Sequence, residues 1–177
     1  MGQKFAIRPL AKTDRKDLID NYFSYWDELK RNPNLGLSFV PKKPALKDEQ
    51  VWFKNMLNNV KRGNEVASVA LVDGKAVGLC NAHRLSRREN AHIAELGIAI
   101  RDGYRGAGIG EALMKDVIKR SRGKFEIIQL AVFAMNEKAE KLYRRLNFKE
   151  YGRVPNGMKR DGRYTDTILM YLNIKKF

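Results

Sequence analysis

Three glycines at alternate positions, Gly106, Gly108 and Gly110, stand directly between an apolar strand pattern, HIAELGIAI, and a helical pattern in which Ile109, Leu113 and Val117 recur every fourth residue. A chain turning from strand to helix in so few residues needs backbone freedom there, which glycine supplies. The next apolar run, FEIIQLAVF, reads as a buried strand. Strand, helix and strand in that order imply a right-handed crossover between parallel strands. The loop also bares N–H groups at a helix N-terminus, where partial positive charge collects, so it suits an anion. It is not the dinucleotide fingerprint, because Glu111 stands where G-x-G-x-x-G needs its last glycine, and no Gly-Lys-Ser/Thr of a P-loop follows. Taken alone, the same glycines also fit a sharp bend with no ligand.

Around this unit, FAIRPL at 5–10 reads as a first strand, and Thr13 with Asp14 opens a helical stripe of Leu18, Ile19, Tyr22, Phe23, Trp26 and Leu29. Pro33, Gly36, Pro41 and Pro44 then break regular structure before Val51, Phe53, Met56, Leu57 and Val60 form a second stripe. EVASVALV and KAVGLCNAHRL flank Asp73-Gly74, a hairpin signal. A last helix starts at Asn136, with Ala139, Leu142, Tyr143 and Leu146 on one face and Asn147 suited to the left-handed stop. Two closing strands, near 148–159 and 164–174, turn through Asp161-Gly162-Arg163. The expected fold is α/β of the α+β type. It has one mixed, mostly antiparallel sheet of about seven strands, a central parallel β-α-β unit and about four flanking helices, in a single domain over 1–177.

No apolar run approaches the roughly 20 residues that span a bilayer, and the opening MGQKFAIRPL lacks the apolar stretch of a secretory signal, so the cytoplasm is the expected location. Cys80 is the single cysteine, and with His83 and His92 it offers too few soft ligands for a zinc cluster; neither metal nor disulfide is expected. The net charge is +15, from 35 Lys plus Arg against 20 Asp plus Glu, and such a field favours anionic partners: nucleic acid, ribosome or a phosphorylated cofactor. The charges run from Lys4 to Lys176 without a long single-sign block, which equally describes a solvated surface.

Arg105, Gly108 and Gly110 match Arg/Gln-x-x-Gly-x-Gly/Ala at a strand-to-helix junction, and here the chain resembles the GNAT superfamily of N-acetyltransferases. FAIRPLAKTD is similar to that family's opening strand and helix. NEKAEKLYRRLNF is similar to its Asn-x-x-Ala-x-x-Leu-Tyr-x-x-x-Gly-Phe segment, with Asn147 in place of the glycine. The resemblance implies acetyl-coenzyme A as cosubstrate, with its pyrophosphate on the amides of Arg105, Gly106, Ala107, Gly108, Ile109, Gly110 and Glu111. It places the pantetheine arm against Asn136 and the acetyl oxygen on a backbone N–H near Ile98 or Ile100. It also implies direct attack by a primary amine in a ternary complex. The acceptor would be a protein N-terminus (a ribosomal protein's included), a polyamine or a small amine.

Acetyl transfer from a thioester needs a neutral amine, a place for negative charge on the carbonyl oxygen and a proton for the departing sulfur. The resemblance makes Glu95 the base: it sits ten residues before Arg105, where many amine-acetylating members also carry a glutamate. Its apolar strand neighbours are expected to shield the carboxylate from water. On spacing alone Glu95 also fits an ion pair or an exposed sheet end, and His83 and His92 are rival bases. Tyr143 stands at the place of the family's proton-donating tyrosine, yet on periodicity it is equally a core residue with its hydroxyl bonded elsewhere. Asn136 also reads as a routine helix cap. Tyr22, Trp26 and Phe39, on the first helix and the 31–45 loop, are candidate acceptor walls.

A reading from another class is a basic RNA- or ribosome-associated module that keeps the fold with little or no turnover. The charge and the runs Tyr143-Arg144-Arg145 and Arg163-Tyr164 favour it. The transferase reading requires no nucleic acid or membrane and is compatible with a homodimer.

Overall fold

In the computed structural model, which describes residues 4–175, the order is β1 (Ala6–Pro9), α1 (Arg15–Arg31), α2 (Leu46–Lys61), β2 (Glu65–Val72), β3 (Lys75–Arg84) and β4 (Ile93–Ile100). Then come α3 (Ile109–Ser121), β5 (Ile127–Phe133), α4 (Glu137–Arg145), β6 (Lys149–Arg160) and β7 (Arg163–Asn173). The strands form one sheet in the order β1-β2-β3-β4-β5-β7-β6, with β4 and β5 parallel and every other neighbour antiparallel. This is the expected mixed sheet, crossover included. Both hairpin turns place an aspartate and a glycine in the left-handed region: Asp73 at φ 49° with Gly74 at 77°, and Asp161 at 49° with Gly162 at 77°. That conformation matches the twist of the strands it joins. Pro155 sits in the irregular stretch of edge strand β6 between Val154 and Met158, where no ladder N–H is required of it.

Each face of the sheet buries its own apolar cluster. On one face α3 packs Leu113, Met114 and Val117 against Cys80, Ala82, Ala94, Leu96, Ile128 and Leu130. On the other, Leu18 of α1 and Phe53 and Met56 of α2 cover Ala67, Val69 and Ala76. The alternation of strand side chains sends Ala94 and Leu96 to the α3 face and Glu95 and Gly97 to the opposite one.

Of the stripe expected on α1 only Leu18 and Ile19 are buried, joined by Asn21, Tyr25 and Glu28, while Tyr22, Phe23, Trp26 and Leu29 are partly exposed. The polar members are satisfied: Asn21 Nδ2 donates to the Ala76 carbonyl at 2.8 Å, and Glu28 pairs with Arg105. Asp14 stands at the N-cap of α1, but its side chain makes no cap bond to that helix. Its carboxylate accepts from the Ala11 N–H at 2.8 Å and pairs with Arg8 at 2.6 Å. Among the described residues no helix is long and apolar enough to cross a membrane.

Candidate active site

The parallel ladder between β4 and β5 is short. Only Ile93, Ala94 and Glu95 pair with Ile127, Ile128 and Gln129, whereas β4 stays paired with β3 as far as Ile100 and β5 with β7 as far as Phe133. The two strands therefore splay beyond Glu95, and a wedge opens in the middle of the sheet. Its backbone polarity follows from alternation. The Arg101 N–H bonds the Val77 carbonyl at 2.8 Å, so Ala99 and Gly97 also turn their N–H groups toward β3. Ile98 and Ile100 turn theirs into the wedge, and the Ile100 carbonyl there accepts from Arg105 Nε at 2.8 Å.

The glycine loop closes the wide end of this wedge. Gly106 and Gly108 lie in the left-handed region, at φ 83° and 82°, and Gly108 is the N-cap of α3. The first bond back along the helix is Ala112 N–H to the Gly108 carbonyl at 3.1 Å, which leaves the amides of Ile109, Gly110 and Glu111 without an intrahelical partner. Ile109 is buried and anchors the turn from below. Gly110 has a different reason for being glycine. A Cβ there would stand 3.3 Å from Ile100 and 3.5 Å from Leu142, so it lets α3 approach β4 and α4 closely.

Arg105 is held by its side chain rather than left free for an anion. Its guanidinium meets both carboxylate oxygens of buried Glu28, at 2.5 and 2.8 Å, and its Nε bonds the end of β4. This fork ties the glycine loop to α1 and leaves the loop's anion-binding capacity to its backbone. Sequence reasoning missed Glu28, although Asn21, Tyr25 and Glu28 lie on one helical face at i, i+4 and i+7.

Tyr143 is buried on α4 in the α3-side cluster, its ring 6.1 Å from that of Phe148. Burial pushes its hydroxyl well above the usual phenol range. Among the described residues that hydroxyl has no hydrogen-bond partner, and it is absent from the polar atoms sealed without one. A purely core tyrosine would have its hydroxyl bonded. This one stays open to a ligand. Asn136 is the N-cap of α4, its side chain accepting from the Ala139 N–H at 3.3 Å. Gly36 of the α1–α2 loop lies over it so closely that a Cβ on Gly36 would stand 2.0 Å from Asn136 Nδ2.

Glu95 corrects one expectation: it is exposed, not shielded. It points to the α1–α2 side of the sheet, where α1 lies mainly over β3 and α2 mainly over β2. Register aligns Glu65, His83 and Glu95 across β2, β3 and β4. Glu65, which the sequence did not single out, is buried, accepts from Asn81 Nδ2 at 2.6 Å and has its carboxyl pushed up by burial. Glu65, Asn81 and His83 line a cavity of 550 Å³ together with Trp52 and Asn59 of α2; Glu95 is not part of its lining. A larger one, of 790 Å³, lies at the N-terminal end of β4 between Arg84, His92 and Lys124, away from the glycine loop. His92 is thereby removed from the site. Of the acceptor walls, Trp26 and Phe39 meet edge to face with centroids 5.0 Å apart, while Tyr22 packs against Phe23 at 6.3 Å. The basic-aromatic run at Tyr143 dissolves, because the ring is buried and Arg144 is paired with Glu140 and Glu150.

Residues 23–148 match the model of the Acetyltransferase (GNAT) family. The chain belongs to that family. Among curated relatives, this GNAT chain is 30% identical over 104 residues to the L-amino acid N-acetyltransferase AaaT of Escherichia coli, a match covering 58% of this chain and 64% of that protein. It is 32% identical over 131 residues to an L-methionine sulfoximine/L-methionine sulfone acetyltransferase of Pseudomonas paraeruginosa, covering 73% and 74%. YncA of Salmonella typhimurium, solved with its cofactor acetyl-CoA, shares the fold of this GNAT chain at a TM-score of 0.83 and 15% identity, over 99% of this chain and 96% of that one.

Proposed function

We propose that this chain transfers the acetyl group of acetyl-CoA to the primary amine of a small, amino-acid-like acceptor by direct attack in a ternary complex. The observation that carries the reading is the wedge. It is the gap in the sheet ladder between β4 and β5, flanked by the free amides at the α3 N-terminus and by the Ile98 and Ile100 N–H groups, with Tyr143 in the cluster on the α3 face and Glu95 exposed on the other face. A thioester lying along it from the α3 side presents its carbonyl to an amine arriving from the α1–α2 side. The amino-acid acetyltransferases among the curated relatives favour the small acceptor over a protein N-terminus.

In this reading the pyrophosphate sits on the amides from Arg105 to Glu111, and Asn136 lies beside the pantetheine arm. The Ile98 or Ile100 N–H receives the negative charge that forms on the acetyl oxygen. Glu95 takes the proton of the attacking amine. As the carbon–sulfur bond breaks, the Tyr143 hydroxyl donates a hydrogen bond to the departing sulfur. Full proton transfer from Tyr143 is uphill, since a thiol titrates near 8.5 and a tyrosine, already near 10 in water, is pushed higher here by burial. Tyr143 therefore acts chiefly by hydrogen bonding to developing thiolate charge, and solvent completes the protonation.

Acetyl-CoA at about a hundred times its Kd adds about 2.7 kcal/mol of stability by mass action, which for a chain of this size raises Tm by roughly 5–10 °C. No shift at millimolar cofactor would end the transferase reading. Free-thiol release with L-methionine sulfone, a panel of amino acids, polyamines and N-terminal peptides then ranks the acceptors.

The glycines test the cofactor site separately. Gly108→Val meets no atom within 4 Å but forces a branched side chain to φ 82°, at a cost of about 1–3 kcal/mol, and covers the amides. Gly110→Val instead wedges against Ile100 and Leu142 and lowers stability through overpacking, again by about 1–3 kcal/mol. Each should weaken acetyl-CoA binding about tenfold or more by calorimetry, through lost charge-assisted bonds. If Gly108→Val binds as tightly as the parent, the cofactor lies elsewhere.

A further inference from the structure

The α1–α2 loop has no regular structure between Asn32 and Ala45, yet its middle is fixed by one distant side chain. Arg160, the last residue of β6, donates from Nη1 to the carbonyls of Pro33 at 3.1 Å and Leu35 at 2.6 Å, and from Nη2 to that of Leu37 at 2.6 Å. Its guanidinium also lies 5.8 Å from the ring centroid of Phe39, which packs edge to face on Trp26 of α1. Among the described residues Arg160 has no carboxylate within ion-pair distance. Three of its five N–H groups donate to loop backbone. The carbonyls at 33, 35 and 37 converge on one guanidinium, so the planar fork pins the chain from the turn at Asn32–Leu35, closed by Leu35 N–H to the Asn32 carbonyl at 3.0 Å, through to Leu37. Gly36, at the centre of that segment, rests on the Asn136 side chain. Hairpin, loop, α1 aromatics and the cap of α4 thus form one contact chain over the mouth of the wedge.

We propose that Arg160 is a positioning residue for the acceptor: by fixing residues 33–37 over Asn136 and Phe39 against Trp26, it sets the shape of the space an amine must enter. This rests on the transferase reading above. Arg160 touches neither reacting group, and its effect runs through the loop. Removing it lets the roof relax away from the wedge, which weakens the acceptor's hold in ground and transition state alike. The glycine loop and its amides are built from other elements and should not respond.

The test uses the full chain with L-methionine sulfone as the probe acceptor, the best amine of the panel being added in parallel. Arg160→Met should raise acceptor KM about tenfold or more while kcat at saturation stays within about threefold, the pattern of lost uniform binding. Acetyl-CoA Kd by calorimetry should stay within about twofold. Arg160→Lys keeps the charge but cannot span three carbonyls, so it should also raise KM; it supplies the measurement if the methionine variant does not fold. Parental KM in both variants would overturn the role. So would a fall in kcat alone that tracks the unfolded fraction seen by circular dichroism, since that is what a merely structural residue gives. A parent that neither shifts with acetyl-CoA nor releases thiol with any amine fails at the earlier step and takes this role with it. A parent that is active beside variants of unchanged KM removes only Arg160.

Discussion

Glu95→Gln should lower turnover at pH 7 about a hundredfold or more while acetyl-CoA binds as it does to the parent. The amide keeps the size of the side chain and its place opposite His83, so the change is confined to proton acceptance. The α-amine of an amino-acid-like acceptor titrates above neutral pH, at about 8 even at a peptide terminus, so it is mostly protonated at pH 7, and the attacking nitrogen must lose its proton at or before the transition state. General bases commonly contribute about 10²- to 10⁴-fold. The exposure of Glu95 argues for the lower part of that range, because water can reach the same position. The deficit should shrink as pH rises and free amine accumulates. Steady-state kcat/KM measured from pH 6 to 10 checks this: parallel profiles for parent and variant, with no gap at neutral pH, would remove Glu95 from the mechanism and leave His83 or water.

Tyr143→Phe should lower kcat by about ten- to a hundredfold, the equivalent of one hydrogen bond of about 1.5–3 kcal/mol to a developing charge. The ring, which packs against Phe148, remains, and no protein partner of the hydroxyl is orphaned by its removal. Tm and acetyl-CoA affinity should therefore hold. Loss confined to the transition state lowers kcat and kcat/KM together. Should the variant keep parental kcat when chemistry limits the rate, Tyr143 is a packing residue and the sulfur finds its donor elsewhere.

Much of the frame is legible in the residues because local rules decide it. Asp-Gly pairs set both hairpins, Asn147 ends α4 at φ 66°, and the glycine cluster marks the crossover. What escaped the sequence depends on partners far away in the chain. Hydropathy cannot bury Asn21 or Glu28, whose bonds are made to Ala76 and Arg105, 55 and 77 residues onward. Arg160 reads as one of many basic residues until it meets carbonyls 123 to 127 positions earlier. The exposure of Glu95 follows from alternation together with which strands the two N-terminal helices happen to cover, and only the first of these is written locally. The splay itself has no signature, since β4 and β5 remain apolar strands well past the point where they part.

That parting gives the molecule an uncommon kind of border. Sheets usually present unpaired backbone at their outer rims, where it recruits further strands and must be guarded by charge, proline or distortion. Here a border is opened in the interior, between two strands that each keep their other neighbour, and it tapers to nothing at Glu95. No strand of a foreign chain can lie in so tapered a space, because strands in a ladder need about 4.8 Å of separation along their whole length. This inner border is thereby spared the aggregation hazard that an outer one, such as β6, carries. The occupant is restricted to something slim and extended that can bond with backbone groups as it passes.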